Sequence, residues 1–172
     1  MDAERIEARL TIAVDGSHHA GHSGFGVASE SGALFYGAVR EGEDAEFAAL
    51  EHALACYPER PLLVRTDSHE AILRFVSRVP PKPSNANVEQ IARILAALGL
   101  REGSAPVEFH HVRQSQQQDA LHAVAHLLSF LGRTGRSLPE GDLTATAQMI
   151  LGAPRPDDAA HAVVKDMLFP SI

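Results

Sequence analysis

Two short strand-like runs, Leu10 to Val14 and Leu62 to Thr66, each give way at once to an aspartate, Asp15 and Asp67. Runs of this length and apolar content read as strands buried in a sheet, so each acid is placed at a strand end. Two further acids stand at helical segments: Glu46 opens one and Asp119 opens another. Two carboxylates at strand ends and two on helices can converge on one point of an α/β sheet. Converging carboxylates repel, and they are stable at neutral pH only with cations between them or with some protons retained. A divalent metal site is therefore expected.

The chain has 172 residues, 45% of them hydrophobic, which suits one globular domain of about 130 residues plus an appendage. Its formal charge of −7 argues against an indiscriminate binder of nucleic acid, because phosphate binding is driven largely by Lys and Arg. It does not exclude a nuclease, whose metal-site carboxylates are neutralised by bound cations. The segment Met1 to Arg9 is charged, and no apolar run approaches the roughly 20 residues that span a bilayer; a cytoplasmic protein with no membrane partner is expected. Cys56, the only cysteine, is expected to pack on its helix beside Leu54 and Tyr57.

Arg9 to Ser17 reads as a first strand, with His18 to Gly24 as a turn. Strands near Phe25 to Ser29 and Leu34 to Val39, joined at Ser31-Gly32, complete three antiparallel strands. From Asp44 the pattern becomes helical, with Phe47, Leu50, Leu54 and Tyr57 on one stripe until Pro58. Glu46 lies in line with Ala49 and Ala53, a small-residue row that lets this helix approach a sheet. Leu62 to Thr66 suits a parallel central strand, followed by a helix over His69 to Val79. Pro80 to Asn87 is a linker. Val88, Ile91, Ile94, Leu95 and Leu98 mark a helix stopped by Gly99, Val107 to Val112 is the last strand, and Gln114 to Gln118 leads into a helix with Leu121, Val124, Leu128 and Leu131 on one face. Taken singly, three of the four acids have an ordinary alternative: a solvated helix charge for Glu46, helix capping at Asp67-Ser68, and a helix-dipole contact for Asp119.

Beyond Arg133, Asp142 to Leu151 and Asp157 to Leu168 read as two short helices with acidic caps. Their apolar stripes need a partner, either this domain or a homodimer or other protein contact. The histidines form two groups, His18, His19 and His22 in a turn, and His122 and His126 one helical turn apart on the face of Asp119. Neither group is a complete ligand set, so exposed or substrate-facing histidine stands beside an imidazole metal site.

The order of these elements resembles the ribonuclease H family, and short motifs strengthen the likeness. Val14-Asp15-Gly16-Ser17 resembles the family's first-strand motif and Gly24-Phe25-Gly26 its second strand. Ala45-Glu46-Phe47-Ala48-Ala49-Leu50 is similar to its acidic helix, Thr66-Asp67-Ser68 to its third acidic site, and Gln118-Asp119-Ala120-Leu121 to the last helix of short ribonuclease HI-type members. The resemblance covers about residues 8–132. It implies a five-stranded mixed sheet, three antiparallel strands and then two parallel additions, flanked by helices. A ribonuclease H-like domain at 1–133 and a C-terminal helical extension at 134–172 follow.

The resemblance further implies a metal-dependent endonuclease acting on the RNA strand of RNA/DNA hybrids, with Asp15, Glu46, Asp67 and Asp119 as catalytic metal ligands. Two Mg²⁺ or Mn²⁺ ions would be held by this all-oxygen set, bridged by Asp15. Ser17, Ser68, His111, Arg113 and His122 are candidates for the substrate or product side. The chain departs from the family in having Glu41-Gly42-Glu43-Asp44 where Asn-type contacts often stand, and a neutral Pro80 to Asn87 in place of a basic extension. A second class of function therefore stands beside the first, a catalytically weak or inactive nucleic-acid or protein interaction module on the same fold.

Overall fold

The computed structural model describes residues 9–112 and 119–170; Arg113, Gln114 to Gln118 and the segment before Arg9 lie outside the described residues. Strands β1 (Leu10–His19), β2 (His22–Ser29) and β3 (Leu34–Ala38) form an antiparallel meander. Strand β4 (Leu62–Thr66) runs parallel to β1 and β5 (Val107–His111) parallel to β4, giving the order β3-β2-β1-β4-β5. Alternation along β1 assigns its faces. Leu10, Ile12 and Val14 join the core beneath α1 (Ala45–Cys56), α2 (His69–Phe75) and α3 (Val88–Leu100). Ala13 joins the opposite core, built with α4 (Ala120–Thr134), α5 (Glu140–Leu151) and α6 (Pro156–Leu168).

Several boundaries differ from the sequence reading. The expected turn over His18 to Gly24 shrinks to Ala20-Gly21, because the ladder continues to the pair His19↔His22. Both turn residues take positive φ, 51° and 79°, the backbone that a two-residue hairpin needs to match strand twist. Asp15 thus lies inside β1, but just beyond the part paired with β4, which ends at Ala13↔Arg65. Helix α2 ends at Phe75, short of Val79, whose place before Pro80 disfavours helical backbone. Helix α3 passes Gly99 and ends at Leu100, where Arg101 turns back to donate hydrogen bonds to the carbonyls of Tyr57, Arg60 and Ala105. Strand β5 ends one residue early, at His111.

Cys56 is exposed, not packed, because it occupies the last turn of α1 away from the buried face of Phe47, Leu50 and Leu54. The two C-terminal helices start earlier than expected, with Pro139 and Arg155 at the cap positions and no side-chain cap; Asp142 and Asp157 stand in the first turns instead. Proline at the first position of α6 explains its early start, since its fixed φ suits a helix opening. Both helices pack back onto α4: Leu143, Ala147, Ile150 and Ala160 are buried in one cluster with Leu127, Leu128 and Leu131.

Two close approaches set the helices on the sheet. A Cβ on Gly16 would stand 2.4 Å from Glu46 N, so only glycine lets α1 start against β1. A Cβ on Gly26, which pairs with Asp15, would stand 2.3 Å from Ala125 O and 2.5 Å from Ser129 N. The small residues thus bring both helices within reach of the Asp15 carboxylate.

Gly26→Ala is expected to destabilise the protein by about 1–3 kcal/mol, as overpacking against backbone does, lowering Tm by several degrees. Gly99→Ala, where a Cβ meets nothing within 4 Å, should be neutral or stabilising by up to about 1 kcal/mol as a helix substitution. Thermal unfolding of the pair checks this; equal Tm values would show that α4 does not depend on the glycine.

Candidate active site

Asp15 is 3% exposed and is held from the α4 side. Ser129 Oγ lies 2.6 Å and His126 Nδ1 3.1 Å from Asp15 Oδ2. Ser129 Oγ is also 2.8 Å from His126 O; its single proton is better used on the charged carboxylate. The second oxygen, Oδ1, faces His122 Nε2 at 3.6 Å, and the same nitrogen is 3.6 Å from Asp67 Oδ1. Those separations are ion pairs beyond hydrogen-bond range, and His122 Nε2 is buried without a hydrogen-bond partner. One ligating atom each from Asp15, Asp67 and His122 lies within 4.8 Å of the others.

Glu46 arrives from the start of α1. Asp44 caps that helix by accepting from Phe47 N at 3.0 Å, and Gln90 of α3 clamps the Asp44 backbone through 2.8 and 3.1 Å hydrogen bonds. Glu46 Oε2 is buried without a hydrogen-bond partner. Burial, and then the charges of Asp15 and Asp67, raise its pKa well above the usual glutamate value, against a hydrogen bond from the Gly16 backbone. A buried acceptor with no donor, turned toward two more carboxylates, is the environment a cation would satisfy.

Asp67 follows β4. His111 Nε2 is 3.2 Å from the Asp67 carbonyl, so His111 braces the backbone beneath that acid. Ser68, not Asp67, caps α2 by accepting from Ala71 N at 3.1 Å. Ser17 accepts from Arg133 Nε at 2.8 Å. Of the expected substrate-side group, Ser17, Ser68 and His111 thus have partners inside the fold, while His122 stands among the carboxylates themselves. Arg113 lies outside the described residues.

The structure brings Asp15, Glu46 and Asp67 to one cleft of about 480 Å³. Asp119 is not among the described residues that line it. As the N-cap of α4 it accepts from His122 N at 2.9 Å through Oδ1, and Oδ2 meets Arg65 Nη1 at 3.1 Å. Nor is the closest group all oxygen: His122 adds a nitrogen. His18, His19 and His22 form no ligand group with other described residues. Sequence reasoning missed Ser129 and the contribution of α6, whose Asp157 and His161 also line the cleft. The Ser129 signal was available as continued helical spacing after His122 and His126.

The charge balance of the site depends on pH. Burial lowers the pKa of His122, but Asp67, Asp15 and Asp119 outweigh it and hold it above the ordinary histidine value. For His126 the hydrogen bond to Asp15 raises the pKa against burial. Glu46, His122 and His126 therefore bind more protons in the folded than in the unfolded chain, and stability falls as pH rises wherever this holds. The window opens near the unfolded glutamate pKa, about 4.3, and extends past that of histidine, about 6.5. The Tm of metal-free protein is expected to fall from pH 5 to pH 8 (roughly spanning those values), and Glu46→Gln should flatten the acid part of the decline. A Tm that rises over this range would contradict the assignment of these three groups.

No protein-family model and no curated protein matches the sequence. Solved structures do match in three dimensions. LC11-RNase H1, obtained from compost by a metagenomic approach and solved with an RNA/DNA hybrid, aligns over 74% of this chain and 98% of its own, with a TM-score of 0.59 and 20% identity. The N-terminal RNase H domain of a Mycobacterium tuberculosis protein aligns over 74% and 94%, with a TM-score of 0.58 and 14% identity. RNase H1 from the halophilic archaeon Halobacterium salinarum aligns over 74% and 99%, with a TM-score of 0.53 and 14% identity. Strand order, mixed pairing and these likenesses agree: the chain has the ribonuclease H fold.

Proposed function

We propose that the protein is a divalent-metal-dependent endonuclease that hydrolyses phosphodiester bonds, with the RNA strand of RNA/DNA hybrids as its substrate. The observation that carries this reading is the convergence of Asp15, Glu46 and Asp67 with His122 in one cleft, where Glu46 Oε2 and His122 Nε2 are buried without hydrogen-bond partners. The hybrid is suggested by the complex of LC11-RNase H1. No helix among the described residues is long and apolar enough to cross a membrane.

Asp15, Glu46, Asp67 and His122 would hold the cations, with Asp119 reaching them only by releasing Arg65. When bound, two such ions supply an activated water and stabilise the leaving oxygen of a phosphodiester. The chain prepares the place. Ser129 and His126 fix Asp15 Oδ2, which leaves Oδ1 turned toward His122. Glu46 and His122 would give up any proton they hold on binding a cation, so metal affinity is expected to rise with pH. Mixed oxygen and imidazole donors favour Mn²⁺ over Mg²⁺, because Mg²⁺ prefers oxygen alone.

A second reading has its own support. No Lys or Arg is among the described residues lining the cleft, which would suit a module that binds a partner without cutting nucleic acid.

Cleavage of a labelled hybrid, beside single-stranded and duplex controls, separates the two. Activity is expected in Mn²⁺, at a lower rate in Mg²⁺, and not in excess chelator. Asp15→Asn should lower kcat/KM by about 10³-fold or more, equivalent to losing roughly 4 kcal/mol of transition-state stabilisation. Its fold should survive, since lost repulsion from Glu46 and Asp67 offsets lost attraction to His122 and His126. Asp119→Asn keeps the helix cap and should cost less activity than Asp15→Asn. Full activity in chelator, or near wild-type rates for Asp15→Asn, would sink the nuclease proposal; tight hybrid binding without cleavage would favour the second reading.

A further inference from the structure

The C-terminal helix α6 reaches the cleft. Asp157, Ala160 and His161 share one helical face by their spacing, and all three line the cavity that holds Asp15, Glu46 and Asp67. Ala160 is 1% exposed and packed with the α4 core, so the face is fixed in place. One turn before His161, Asp157 is partly buried and faces His122, His161 and His126. His161 itself is exposed, with its ring centroid 5.4 Å from that of His126 at an interplanar angle of 65°.

A strand that enters a carboxylate site brings its own phosphates, and their outer oxygens need donors besides the cations. Among the described lining residues no Lys or Arg supplies one. The remaining side-chain donors are three imidazoles. His122 Nε2 is enclosed between Asp15 and Asp67, and His126 has committed Nδ1 to Asp15 and keeps only Nε2. Among the described residues His161 has no side-chain hydrogen-bond partner, and it is exposed in the cleft lining. Neutral or charged, an imidazole carries at least one N–H donor.

We infer that His161 is a substrate-binding residue, supplied to the cleft by the C-terminal extension, whose ring N–H donates to a phosphate oxygen of the bound nucleic-acid strand. This rests on the nuclease reading above for the identity of the ligand. It assigns α6 a role in the site beyond covering α4. His126, already fixed on Asp15, buttresses the His161 ring from within the cleft.

The test compares wild type, His161→Ala and His161→Gln in the full chain by three measurements: steady-state cleavage of a labelled hybrid in Mn²⁺, equilibrium binding of the same hybrid in Ca²⁺, and thermal unfolding. His161→Ala is expected to raise KM and Kd by about tenfold, the loss of one hydrogen bond to a charged oxygen, with kcat and Tm unchanged. His161→Gln keeps an N–H donor and should recover much of the affinity. Unchanged KM and Kd in His161→Ala beside an active wild type would overturn the inference while the nuclease reading stands. A loss of affinity that follows a fall in Tm and is not recovered by Gln would also overturn it, as a packing effect. Wild type that binds but does not cut, with weaker binding by His161→Ala, would support the inference and remove the catalytic claim. Wild type that neither binds nor cuts would end both.

Discussion

Everything near the cleft depends on how the almost wholly buried Asp15 carboxylate is held. An isolated carboxylate in such a place would retain its proton or unfold the site. Asp15 has what it needs on both oxygens: donors from Ser129 and His126 on Oδ2, and the His122 imidazole before Oδ1. Those partners are used up by the time Glu46 is reached. Glu46 has its Gly16 contact, but burial and then the charges of Asp15, Asp67 and Asp44 raise its pKa. The site is thus divided into one supported carboxylate and one that needs a cation or a proton, with Asp67 lining the same cleft.

That division follows from where β1 lies in the sheet. Its pairing with β4 stops at Ala13, two residues before Asp15, while its pairing with β2 continues to His19. On the β4 side the strand edge is therefore open at Asp15, at the point where strand direction across the sheet changes from antiparallel to parallel. Ligands of open α/β sheets gather at such points because neighbouring connections leave the sheet in opposite directions. Here α1 leaves on one face and α4 packs on the other, and glycine at 16 and 26 removes the side chains that would hold either helix away.

Much of this was legible in the sequence, for identifiable reasons. Strand and helix order follow from period-two and helical apolar patterns, and Asp15, Glu46 and Asp67 were recognisable because each sits at a junction between patterns. Asp119 sits at a junction too, yet its carboxylate is held by Arg65, a residue 54 positions earlier whose orientation no local pattern records. The length of the first hairpin was misread because His19 and His22 pair as strand residues although their neighbours are turn-formers. The reach of α6 into the cleft was not legible at all. It depends on how α5 and the Gly152 to Arg155 connection return the chain across α4, a long-range geometry set by packing of Ile150 and Ala160.

Helix α4 carries a pattern whose meaning appears only in the fold. Asp119, His122, His126, Ser129 and Arg133 are spaced 3, 4, 3 and 4, a continuous polar seam in a helix whose other residues are mostly buried and apolar. A polar seam on a buried helix would be costly unless every member had a partner. Four of the five hydrogen-bond to a partner, Arg65 for Asp119, Asp15 for His126 and Ser129, and Ser17 for Arg133, while the fifth, His122, stands 3.6 Å from both Asp15 and Asp67. The seam runs from β4 across β1, and three of its five residues meet Asp15. A helix needed only to cover the sheet would present aliphatic side chains there, as α4 does at Leu121, Leu128 and Leu131. The polar seam instead fixes the register of α4 against β1 through directional contacts, and with it the orientation of Asp15, the carboxylate that acts on Glu46 and groups with Asp67 and His122.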